Sequence, residues 1–191
     1  MKKATVSILF LCTIVLSAHL PLYVRSEESK GWISNVDFAP LQLGVGFCKA
    51  QLYDGKVNTF ASFGLLGLMQ KSSFISFAPI NGEENNFFMQ CGGLFSACNN
   101  NFGITAASLL NFTEKNYALQ LGFCNLSEEP YGMQIGVGNL GSFIQIGAYN
   151  IDGKFQVGIF NTSSNIQIGL LNYNPKAFFK WMPLFNVPIE K

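Results

Sequence analysis

Between Phe143 and Asn172 apolar and polar positions alternate with a period of two, and the alternation recurs every eleven residues. Ile144, Ile146 and Ala148 fall on one face; Gln145, Gly147 and Tyr149 fall on the other. Period two predicts strands, and the β-branched and aromatic residues agree. The repeats carry no helical periodicity.

The unit reads apolar-Gln-apolar-Gly-apolar-apolar-Asn. Clean copies begin at Leu119 (Gln120, Gly122, Asn125), Met133 (Gln134, Gly136, Asn139), Ile144 (Gln145, Gly147, Asn150), Phe155 (Gln156, Gly158, Asn161) and Ile166 (Gln167, Gly169, Asn172). Degenerate copies begin at Leu41, Ala61, Ile75, Met89 and Ile104, the last with one extra residue before Asn111. Clean repeats thus cover 119–172 and degenerate ones 41–111, and a closing segment, 175–187, follows as one turn or a last strand. Repeats decide the fold class, which is all-β.

The midpoints between units fall on Gly141-Ser142, Asp152-Gly153 and Ser163-Ser164. Asp-Gly and Gly-Ser are hairpin signals, and Tyr53-Asp-Gly-Lys56 is another. These predict an antiparallel meander of about 10–12 short strands joined by tight hairpins and closed as a barrel. In that register Gln145 faces Phe160, Gln156 faces Tyr149 and Ile146 faces Ile159. The alternative is a β-solenoid of stacked repeats with Gln and Asn ladders, because identical units suggest identical environments. A soluble sandwich is the third solution. The Gln residues discriminate: Gln145 and Gln156 stack side by side only in the solenoid.

In the barrel the apolar face meets lipid and the Gln/Gly face lies inside. Strand glycines mark a bend or a close backbone approach. The Asn reads as a residue of the strand-to-turn junction, bonded to local backbone.

The chain opens with Lys2-Lys3, an apolar run from Val6 to Ala18, and Val24-Arg25-Ser26. This pattern predicts a signal peptide over 1–26 and a single repeat-built β domain over 27–191. The mature chain has nine Lys and no Arg against eleven Asp and Glu, a formal charge of −2, which argues against nucleic acid. Its four cysteines, Cys48, Cys91, Cys98 and Cys124, can form two disulfides or stay as buried thiols. There is no C-x-x-C pair, and the only His, His19, lies in the leader, so neither a zinc site nor a His-assisted nucleophile is expected. Asp and Glu read as residues of tails, turns and connectors, with no acid pair for catalysis. No enzymatic activity, cofactor or metal is expected. Asn111, Asn125 and Asn161 open glycosylation sequons, but each is also the Asn of a repeat.

The Gln-Ile-Gly-x-x-Asn units, followed by Phe178-Phe-Lys-Trp-Met-Pro-Leu-Phe-Asn186, resemble a family of bacterial envelope surface-repeat proteins. Its members carry tandem Gly-x-Gln-Ile-Gly-Leu-x-Asn units and an aromatic Pro-Leu-Phe-Asn-like ending. The likeness is close over Leu119 to Asn186 and weak over Leu41 to Asn111; the eleven-residue period and the degenerate early units depart from the pattern. The resemblance implies export and an outer-membrane or cell-surface setting, and no reaction. The expected function is a non-enzymatic cell-envelope protein, structural or pore-like. The alternative, periplasmic or secreted, is a surface-repeat module that displays a Gln/Asn face for binding or adhesion. A membrane or cell surface is the expected partner; no particular protein partner is implied.

Export predicts that N-terminal sequencing of the mature protein reads Glu-Glu-Ser-Lys-Gly-Trp, from Glu27. A retained Met1 is the contrary result.

Overall fold

Each strand lies beside the next copy of its own sequence. The computed structural model describes residues 31–33, 37–45, 51–53, 56–129, 131–163 and 165–189. The leader, Cys48, Asp54-Gly55 and Ser164 lie outside the described residues. The strands are β1 (Gly31–Ile33), β2 (Phe38–Gly44), β3 (Gln51–Tyr53), β4 (Asn58–Gly64), β5 (Gly67–Asn101), β6 (Ile104–Asn116), β7 (Leu119–Glu129), β8 (Met133–Thr162), β9 (Ile166–Tyr173) and β10 (Trp181–Asn186). They form one sheet in the order β1-β3-β2-β4-β5-β6-β7-β8-β9-β10. From β2 to β9 every neighbouring pair in that order is parallel. The long β5 and β8 pass through more than one coil.

This is a β-solenoid, and the barrel of antiparallel hairpins is overturned. Gln145 does not face Phe160, nor Gln156 Tyr149; Gln156 Nε2 instead donates to Gln145 Oε1 at 2.8 Å. Register follows the repeat. Leu41 pairs with Ala61 and Ala61 with Ile75; Met89 pairs with Ile104, Ile104 with Leu119 and Leu119 with Met133; Phe155 pairs with Ile166. The ten units are therefore ten rungs. The extra residue before Asn111 appears as a register shift between Ala107 and Leu110.

The turn signals mark corners. Gly141 and Asp152 have φ of 69° and 55°, the left-handed conformation that a tight hairpin also requires. Here it bends the chain onto the next wall of the coil instead of reversing it against itself. Tyr53 and Lys56 likewise do not bracket a hairpin, because β4 pairs with β2 and not with β3.

Glycine at the fourth station is a close approach. A Cβ at Gly136, Gly147, Gly158 or Gly169 would lie 2.0 to 2.1 Å from the carbonyl oxygen of the corresponding Gly one coil earlier, and 2.4 to 2.5 Å from an Asn Nδ2. Both contacts are intrinsic to stacking at the coil spacing of about 4.8 Å. The C-terminal end is covered by β10, antiparallel to β9, with Phe185 opposite Ile168 and Asn186 opposite Gln167.

Gly158→Ala should therefore cost about 2–3 kcal/mol, as overpacking against backbone does. Gly138→Ala, whose Cβ would meet only Cys124 Sγ at 3.6 Å, should be neutral or slightly stabilising. Urea melts of the two variants distinguish them; equal losses would contradict the close approach.

Candidate binding surface

The inside of the coil is polar. Gln120, Gln134, Gln145, Gln156 and Gln167 are fully buried, as are Asn111, Asn125, Asn150, Asn161 and Asn172, with Asn139 nearly so. Carbonyls that point into the coil take donors from the buried amides. Each Gln reaches across its coil to supply one. Gln134, Gln145 and Gln167 donate to the carbonyls of Leu140, Ile151 and Tyr173 at 3.0, 2.9 and 2.9 Å. The second N–H of each amide goes to the Gln one coil earlier, at 2.8 to 3.2 Å.

The Asn column works the other way along the axis. Asn125, Asn139, Asn150 and Asn161 each donate to the Asn one coil later at 2.8 to 2.9 Å. Each also donates to a carbonyl of that coil, those of Ile135, Ile146, Val157 and Ile168, at 3.0 to 3.1 Å. Because carbonyls only accept, these bonds fix the orientation of every amide. The Asn is thus a ladder residue, with its expected bond to local backbone as a minor contact (Asn150 Nδ2 to Gly147 O, 3.3 Å). Buried amide oxygens without a partner fall where ladders start, stop or break: Asn81 Oδ1, Asn86 Oδ1, Asn111 Oδ1, Gln167 Oε1, and Gln90 Oε1 beside the shorter Thr105; the hydroxyls of Ser96, Thr105 and Thr113 are unpartnered too.

The longer coils have a second wall. Asn86, Asn101 and Asn116 form another Asn ladder at 2.8 and 2.7 Å. Glu83, Cys98, Thr113 and Ser127 point inward at a spacing of fourteen or fifteen. No disulfide joins Cys91, Cys98 and Cys124, and burial raises the thiol pKa of Cys91 and Cys98; at Cys98 the Glu83 carboxylate adds to it. Among the described residues, no group of three His, Cys, Asp or Glu is placed to hold a metal ion.

With amides inside, the apolar stations face out. The third station begins Leu43, Phe63, Phe77, narrows at Cys91 and Ala106, and widens again at Leu121, Ile135 and Ile146 before Val157 and Ile168. The first station, from Leu41 to Ile166, lies beside it. Neither row contains a charged or polar residue over ten rungs. The narrowing leaves a shallow depression of about 710 Å³, floored by Cys91, Gly92, Ala106 and Ala107 and rimmed by Phe77 and Leu121. Beyond the Gly, the fifth and sixth stations are apolar in most coils, with Ser108 polar and Gly93 and Gly138 bare: Leu65, Leu94, Leu109, Phe123, Ile159 and Leu170 are all exposed. Aromatic rings stack in file at one corner, Phe60–Phe74–Phe88 at 5.2 and 4.9 Å and Phe87–Phe102–Tyr117–Tyr131 at 5.8, 5.1 and 5.4 Å. Charges gather on the stretch that returns the chain to the next coil: Lys71, Glu84, Glu114, Lys115, Glu128, Glu129, Asp152 and Lys154. Lys115 and Glu129 pair across adjacent coils at 3.2 Å. The expected display of a Gln/Asn face is therefore corrected: the amides are buried because the inward carbonyls require them, and the displayed face is apolar.

No protein-family model, curated protein or solved structure matches this chain.

One carboxylate departs from the expectation that acids lie in connectors. Glu83 is fully buried in β5. Ser73 Oγ donates to its Oε2 at 2.7 Å, Gln70 Nε2 to its Oε1 at 3.0 Å, and Ser76 Oγ also to Oε1. Burial raises its pKa from 4.5 to about 7, against the three hydrogen bonds, which lower it. The fold thus favours the protonated acid. That stability is fully present below pH 4.5, is lost as pH rises, and levels off above about 7. Between pH 4 and pH 8 the native state should lose about 3 kcal/mol. Urea melts across that range check it: Glu83→Gln should flatten the dependence, and an equally flat wild type would contradict the burial.

Proposed function

We propose that the protein is a non-enzymatic, exported surface-repeat module that adheres through its apolar outer side. The observation that carries this reading is the inversion of polarity: every repeat amide is interior, while the first, third, fifth and sixth stations present apolar side chains outward. Monomeric soluble proteins rarely expose contiguous apolar patches beyond a few hundred Å². The charged stretch opposite gives the module a wetted side, so it lies on an apolar boundary with one side and faces water with the other. The boundary is a cell-envelope or other apolar surface rather than an anionic one, because the charged side mixes acids with lysines and the mature chain has a formal charge of −2 and no Arg. The resemblance to envelope surface-repeat proteins supports the setting. A pore-like role is set aside with the barrel.

Adsorption to octyl-coated beads tests the reading. The exposed Leu65 and Leu170 lie on the fifth station, and Leu65→Lys with Leu170→Lys should weaken adsorption at least about tenfold. The melting temperature should hardly change, and Glu114→Lys on the charged stretch should leave adsorption intact. Equal adsorption by all three proteins would refute the proposal.

A further inference from the structure

We propose that the face formed by the first and third stations is a homodimer interface, on which a second copy packs about a two-fold axis parallel to the strands. The inference rests on that reading and divides its apolar side: the first and third stations serve self-association and leave the fifth and sixth for adhesion.

Three observations carry it. The first is size. Ten rungs at about 4.8 Å and a width of roughly 15 Å make a strip of about 700 Å², close to the roughly 800 Å² that each partner contributes to a stable complex. The second is periodicity. The strip is ridged at the coil spacing, and a surface of the same spacing is presented by another copy of this coil stack. Sheets with matched inner faces pack about 10 Å apart.

The third is self-complementarity. Rotation about an axis parallel to the strands keeps each station opposite the same station and reverses the order of rungs. Rung two then meets rung nine, so Ala61 lies against Phe155 of the other copy and Phe63 against Val157. Rung four meets rung seven and rung five meets rung six, so Cys91 lies against Ile135 and Ala106 against Leu121. At each of these positions a small residue meets a larger one. The depression over Cys91 and Ala106 is filled by the other copy's Leu121 and Ile135. Contacts of this kind are reciprocal, so the assembly closes at two.

Sedimentation of the purified mature chain at micromolar concentration should give a dimer. Ile135→Lys or Val157→Lys should give a folded monomer, judged by an unchanged β-type circular dichroism spectrum, whereas Leu170→Lys should remain dimeric. Should the Lys variants fail to fold, crosslinking carries the test. In a background with Cys48, Cys91 and Cys124 replaced by Ala, Phe63→Cys and Val157→Cys chains are mixed and treated with a bismaleimide spanning about 10 Å. Linkage of 63 to 157 is expected. A monomeric wild type, an open-ended polymer, linkage of 63 to 63, or loss of the 63–157 linkage on uptake into phosphatidylcholine vesicles would each overturn the interface. Bead adsorption reads the adhesion proposal separately, since Leu65 and Leu170 lie outside this face.

Discussion

A narrow coil has to satisfy the backbone carbonyls that point into it, and everything else about this protein follows from how it does so. The walls are held by parallel strand pairing, and the carbonyls that point inward take a second set of donors. Side-chain amides supply those donors. An amide carries two N–H groups, one for an inward carbonyl and one for the amide in the adjacent coil. A hydroxyl cannot do both, and Gln90 loses its acceptor's partner where Thr105 interrupts the column. A net hydrogen bond contributes only about 1 kcal/mol, but a buried group left without one costs about 1–3 kcal/mol. The ladders are therefore required more by the cost of their absence than by the strength of each bond.

Filling the interior with amides displaces the apolar side chains outward. Among described residues the fully buried large apolar side chains are Leu68 and Val57. The coil is stabilised by backbone pairing, amide columns and files of stacked rings, and what is normally a core becomes a surface. Stability and adhesion thus draw on separate sets of residues. The outward stations can change among apolar residues without disturbing a hydrogen bond, while the Gln, Gly and Asn cannot.

Much of this is legible in the sequence. The ten units coincide with the ten rungs, including the insertion before Asn111, because a repeat that stacks on itself carries its register in its own spacing. The inward face is legible only in part: the barrel reading puts the Gln/Gly side inside, whereas the solenoid reading displays the amides that the fold in fact buries. The winding is not. Gly141 and Asp152 adopt the left-handed conformation that either a hairpin or a coil corner requires, and the difference lies in which distant segment the next strand meets. Glu83 and the ladder of Asn86, Asn101 and Asn116 escaped for another reason. The stretch Asn81-Gly-Glu-Glu-Asn-Asn86 has the composition of a polar loop, and only the fourteen- and fifteen-residue coils have the second wall that turns it inward.

The opposed donor directions of the two columns have a consequence for length. A row of amides all pointing one way is a row of aligned dipoles, and aligned dipoles sum to partial charges at the two ends, as they do in a helix. Here the Gln column points its donors toward the N-terminal end and the Asn column toward the C-terminal end. Each added coil contributes one amide of each orientation, and the two fields cancel along the axis. The stack can gain or lose a whole eleven-residue coil without building up an end-to-end potential, so repeat number is free to vary with the reach its setting demands.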